Sequence, residues 1–205
     1  MTITFPLDPP AAPTPTEMKV TIREVVAQSR SPFSYKRQVQ EHQGGHWEMS
    51  FDLPPLTEAE WREWTGWLAA LRGVRGTFLW GDPARTSPQG AGGGTPVVNG
   101  AAQTGLVLAT DGWPVSTLVL KRGDYFQLGN GSATRLHMVT ADATTDSGGA
   151  VDLDIWPRLR ESPADGALLT IDNPVGQWQL ATNQNAWRHI EARQVNLSLD
   201  FKEAI

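Results

Sequence analysis

Two runs of strict alternation, near opposite ends of the chain, constrain its fold more than any other feature. In the first, Trp47, Met49, Phe51 and Leu53 alternate with Glu48, Ser50 and Asp52. In the second, Val195, Leu197, Leu199 and Phe201 alternate with Asn196, Ser198 and Asp200. Side chains of a strand point to opposite faces in turn, so period-two alternation describes a strand with one face buried and one wet. Two such strands are expected in the same sheet system, which obliges the chain to return at its end to the body begun near its start.

Between them the pattern changes twice. Pro54-Pro55 stops the first strand, and Thr57-Glu58-Ala59-Glu60 carries the spacing of a capping box. Trp61, Trp64, Leu68 and Leu71 then recur at helical spacing, and Gly73 supplies a stop. This predicts one helix over about 58–72. Residues 83–96 are rich in Gly, Pro and Ser and read as a linker or long loop. Beyond it, short apolar runs alternate with turn residues: Leu106–Leu108, Ser116–Leu120, Tyr125–Leu128, Arg135–Ala141 and Val151–Ile155. That spacing predicts a small all-β unit over 97–160, closed by Pro157 and Pro163. Strands are also expected at Met18–Ser29, Phe33–Val39, Gly76–Trp80, Ala167–Ile171, Gln177–Leu180 and Gln194–Phe201.

The fold class is therefore mainly β: a β-sandwich with one α-helix and an inserted small β-barrel-like unit. The expected organisation is a Pro-rich arm over 1–17, a discontinuous sandwich over 18–82 plus 166–205, and the insert over 97–160. The arm holds five prolines between residues 5 and 17, which suits an extended segment and neither a helix nor a central strand.

Composition narrows the chemistry. The 205-residue chain has no cysteine, which excludes disulfides and thiolate metal sites. Its net charge of −5 gives it no electrostatic footprint for gripping nucleic acid from outside. No apolar run approaches the roughly 20 residues of a membrane helix. The opening residues have neither the basic region nor the apolar stretch of a secretory signal. Nine Trp supply large apolar area with one polar handle each, as cores and interfaces use.

No catalytic constellation emerges. His42 and His46 flank Gly44-Gly45, so they sit on a turn, and His137 and His189 are isolated. Asp142, Asp146 and Gly148-Gly149 resemble a calcium loop loosely, but the spacing fits an acidic turn better. Asp152 and Asp154 fall on one face of a strand, without an acid, base or nucleophile to work with. Arg122-Gly123-Asp124 lies between two strands and reads as a hairpin turn. No phosphate-cradling or nucleophile-elbow motif is present. The expectation is a protein that is not an enzyme and takes no cofactor or metal.

A family resemblance rests on particular segments. These are the strand Gly45-His-Trp-Glu-Met-Ser-Phe-Asp-Leu-Pro-Pro-Leu, the Trp-rich capped helix, and Leu71-Arg-Gly-Val-Arg-Gly-Thr-Phe-Leu-Trp-Gly-Asp-Pro. Leu120-Lys-Arg-Gly-Asp-Tyr-Phe-Gln-Leu-Gly and the run from Arg135 to Arg160 complete the pattern. Together they resemble the distal tail proteins and related minor tail proteins of long-tailed, non-contractile phages. The resemblance implies a hexameric ring in the virion tail, assembled in the host cytoplasm. That ring would join the tail tube to the tip hub, pass DNA through its lumen without specific binding, and involve no membrane. Fibre or receptor-binding proteins are further implied partners. Phe5, Pro9, Pro10, Phe33 and Tyr35 are the candidate ring or tube contacts. The alternative is a carbohydrate- or receptor-binding minor tail module, with Trp113, Tyr125 and Trp156 of the insert as candidate sugar-stacking residues.

Overall fold

A computed structural model describes residues 3–186, 188–189 and 195–205. Among the described residues the molecule is mainly β, with a single α-helix and a nearly closed six-stranded, barrel-like sheet.

The two alternating runs meet as neighbours. Strand β4 (His46–Asp52) buries Trp47, Met49 and Phe51, and pairs on one side with β1 (Glu17–Arg23). The last strand, β17 (Ser198–Glu203), pairs antiparallel on its other side, with Phe51 opposite Leu199 and Met49 opposite Phe201. Next come β14 (Val175–Leu180) and then β5 (Thr77–Gly81), giving a five-stranded antiparallel sheet in the order β1-β4-β17-β14-β5. The expected strand start at Gln194 lies outside the described residues; its continuation is β16 (Val195–Asn196), paired with β15 (Arg188–His189).

Helix α1 (Glu58–Leu71) covers part of this sheet's inner face. Its start is fixed by Glu60, whose carboxylate accepts bonds from the Thr57 backbone N–H at 2.8 Å and the Thr57 hydroxyl at 2.7 Å. It ends at Arg72, which takes the left-handed conformation (φ 56°) one residue before the expected glycine stop. Trp64, Trp67, Leu68 and Leu71 are buried, while Trp61 is only partly so. Trp67 meets Phe78 of β5 edge-on at 5.0 Å, and Trp64 meets Phe51 at 6.0 Å.

The second sheet runs β13-β9-β10-β12-β7-β6. Its strands are β6 (Val97–Val98), β7 (Gly105–Asp111), β9 (Tyr125–Leu128), β10 (Arg135–Val139), β12 (Val151–Leu159) and β13 (Leu169–Thr170). A bridge between Val97 and Leu168, with bonds from Val98 N to Ala167 O and from Leu169 N to Pro96 O, brings the two edges together. Two short strands, β8 (Leu118–Leu120) and β11 (Ala143–Thr144), pair with each other beside it.

Four expectations need correction here. The strand expected at Phe33–Val39 begins only at Arg37, because Pro32, Phe33 and Ser34 form the turn before it. The strand expected at Ala167–Ile171 belongs to the barrel-like sheet, not to the sandwich: Leu169 pairs with Leu128 of β9. Pro157 does not close a strand, since β12 continues to Leu159. The ladder between β12 and β7 shifts register between Asp154 and Leu159, so the missing proline N–H falls where regular pairing is already broken. The glycine-rich run 83–96 is a packed strap. Ala91 and Gly92 donate to Leu118 O and Val119 O, and a Cβ on Gly90 would lie 2.2 Å from Val119 O. Glycine here permits close backbone approach.

The sheets share a wall. Strands β9 and β10 send Phe126, Leu128 and Val139 into the barrel core, and Tyr125 and Leu136 into the core of the five-stranded sheet. Trp47 binds the two together: its ring lies edge-on to Tyr125 at 5.5 Å and to Trp156 at 4.4 Å, and its Nε1 donates to Leu136 O at 3.0 Å.

Candidate functional site

The candidate contact residues separate into two groups. Phe5 and Leu7 pack against the core of the five-stranded sheet, and Pro10 is buried. Leu7 N donates to Thr77 O at 2.8 Å, at the open edge of β5, and Trp64 Nε1 donates to Ala12 O at 3.1 Å. Thr16 N adds a bond to Asp52 O. The Pro-rich arm is thus a strap over the body of its own chain. Phe5 and Pro10 are engaged with that body rather than held out toward a neighbour, and Pro9 between them is half-buried.

Phe33 and Tyr35 are placed differently. Strands β2 (Val26–Arg30) and β3 (Arg37–Glu41) form a hairpin in which every strand residue is exposed. It prolongs the β1–β4 pair: the regular ladder ends at Arg23 and His46, and a bond from His42 N to Val25 O resumes the pairing beyond. Five residues per strand at about 3.3 Å each carry the tip roughly 15–20 Å past the sheet. At that tip Phe33 is 95% exposed and Tyr35 67%. Ile22, Val25, Val26 and Val39 are exposed along the stem. A two-stranded hairpin with no sheet or helix to pack on is marginal in water.

Trp113 and Tyr125, expected on a sugar-binding surface, are each only 5% exposed. Trp113 lies in the barrel core with its Nε1 donating to Thr110 Oγ1, and Tyr125 faces the other core under the Arg85 guanidinium. Desolvation raises the Tyr125 pKa above its ordinary value. Trp156 is partly buried, and its Nε1 donates to Glu24. The three rings therefore form no shared platform. A tryptophan run cannot announce this, because the same residue serves cores and interfaces.

Several other polar features are held within the fold. Asp124 of the Arg122-Gly123-Asp124 turn is buried and accepts bonds from the N–H groups of Gln89, Gly90 and Lys121. It fastens the strap to the turn, a role its tripeptide setting does not reveal. Asp146 accepts from Gly148 N and Ala150 N, which holds its pKa below the usual carboxylate range. His46 Nδ1 lies 2.9 Å from Gly44 O within its turn. Among the described residues no three His, Asp or Glu gather as a metal site, and no helix is long and apolar enough to cross a membrane.

One cavity, of about 210 Å³, opens between the barrel and the five-stranded sheet, beside Arg135, His137, Arg158, Arg160 and Glu203. Arg160 pairs with buried Glu203 at 2.7 Å and donates to Gly45 O; Arg135 donates to Thr134 O and to the Gln177 carboxamide. His137 is buried, stacked on Phe126 at 5.4 Å, with Nδ1 2.8 Å from Pro157 O. Burial pushes its pKa down to about 4, so the ring is neutral at pH 7. Most of these polar groups are committed to one another and tie the two sheets together.

No protein-family model matches the sequence, and no curated protein matches it.

Proposed function

We propose that this chain is a structural subunit that works by self-assembly, in a ring at the tip of a phage-type tail. The observation that carries the reading is the hairpin Val26–Glu41. It is exposed on both faces, extends past the sheet that anchors it, and ends in two aromatic rings. Such an element gains its stability from a partner. The segment resemblance to distal tail proteins supplies the setting. In it the ring is a hexamer, stacked between tail tube and hub, with DNA passing through the lumen and fibre or receptor-binding proteins attached outside.

The anchoring of the hairpin suits this role. Its base continues directly into β1 and β4, and β4 carries Trp47, which contacts Tyr125, Leu136 and Trp156 of the barrel-like sheet. A load on the hairpin is therefore delivered to a strand that is packed into the core and joined to the second sheet. The outer face of the same sheet, with Lys19, Thr21, Glu48, Ser50, Asp200 and Lys202, is polar and mixed in charge, as a surface in water requires.

Light scattering on the purified protein, with negative-stain microscopy of the same sample, tests the reading. The expected result is a closed ring of defined mass. A monomer at high concentration with no ring in the images overturns it.

A further inference from the structure

The hairpin tip is basic. Residues 30–37 carry Arg30, Lys36 and Arg37 and no carboxylate. Arg30 and Arg37 are direct cross-strand partners, an arrangement of like charges that is unfavourable in an isolated hairpin. The tip is partly pre-set: the Arg30 guanidinium lies 4.8 Å over the Tyr35 ring, and its Nε donates to Tyr35 O. A surface complementary to this tip would offer negative charge and, beside it, apolar area for Phe33.

The same chain has such a surface on the barrel's outer side. Register places Asp152 opposite Ala109 and Asp154 opposite Val107, while Asp111 lies opposite Val97, which bridges to Leu168. Their neighbours Leu108, Thr110, Leu153, Val98 and Leu169 are buried, so these residues face outward. Val107 and Leu168 are about half exposed, at 46% and 56%. The result is an apolar strip set among three aspartates, none with an ion-pair partner among the described residues. Three cations and two rings on one element match three carboxylates and an apolar strip on another.

We infer that the hairpin tip of one copy docks on the Asp111–Asp152–Asp154 face of a second copy. The inference rests on the self-assembly reading and names its interface. Because the two patches differ, the contact is heterologous, the type that closes into a ring when the rotation allows. Duplex DNA is the other polyanion a basic tip could meet, but it offers no exposed apolar strip for Phe33, and the chain as a whole is acidic.

Charge exchange tests this. R30E/R37E and D152K/D154K change only outward positions, so both variants are expected to unfold at the wild-type temperature. Each is expected to weaken association, read by sedimentation velocity, at least about tenfold. The quadruple variant R30E/R37E/D152K/D154K, and an equimolar mixture of the two double variants, are expected to recover it. Wild type that stays monomeric overturns the assembly reading and this inference with it. Wild type that assembles while both double variants assemble equally well overturns this inference alone. So does a quadruple variant no better than R30E/R37E. Loss of a duplex-DNA mobility shift in R30E/R37E, with assembly intact, assigns the tip to nucleic acid and overturns it too.

Discussion

The Pro-rich arm and the projecting hairpin look alike as sequences: each is an extended segment with exposed-looking aromatic or apolar residues. In the molecule they are placed oppositely. The arm has a core within reach, and Phe5, Leu7 and Pro10 pack on it, with backbone bonds closing the edge of β5. The hairpin has none within reach, and Phe33 and Tyr35 stand in water. Whether an extended segment becomes part of its own subunit or a contact for another depends on what lies beside it in space.

The sharpest way to break this contrast is to remove what holds the arm. Trp64→Ala deletes a fully buried ring and its bond to Ala12 O, and is expected to cost about 3–5 kcal/mol in denaturant unfolding. An unchanged midpoint would mean that the arm and helix do not form one unit.

Acid tests the body alone. The unfolded chain protonates its histidine below the ordinary value of 6.5, whereas folded His137 resists until about 4. Stability is therefore unaffected by this group above pH 6.5. It falls as pH drops from 6.5 to 4 and levels off below that, by about 3 kcal/mol in all. Unfolding measured at pH 7 and pH 4.5 reads this directly, and His137→Gln should flatten the dependence between those two values.

Phe5→Ala, at a partly buried position on the arm, is expected to cost about 1–2 kcal/mol. Phe33→Ser is expected to change unfolding by no more than about 0.5 kcal/mol. It should nevertheless weaken association. Equal stability effects at Phe5 and Phe33 would erase the distinction between arm and hairpin.

The sequence disclosed what depends on near neighbours. The Thr57–Glu60 box and the Trp64–Leu68–Leu71 stripe located the helix, and strict alternation located β4 and β17. What escaped it depends on distant partners. The barrel edges meet through Leu168 and Val97, and strands of two residues carry no periodicity. The strap at 83–96 has a linker's composition, yet Gly90 answers to the backbone of Val119 on strand β8. Asp152 and Asp154 could be placed on one face from alternation. Their nearness to Val107 required the register of β7. Trp113 and Tyr125 could not be assigned to core or surface from type alone.

The claim that the hairpin is the assembly element is tested most directly by shortening it. Residues 27–40 can be replaced by an Asn-Gly turn joining Val26 and Glu41, which already face each other across the ladder. The absolute masses of wild type and this variant are then measured side by side by light scattering. The account predicts a hexameric ring for wild type and a folded monomer for the shortened protein. A shortened protein that forms the same ring, or a wild type that remains monomeric, would contradict it.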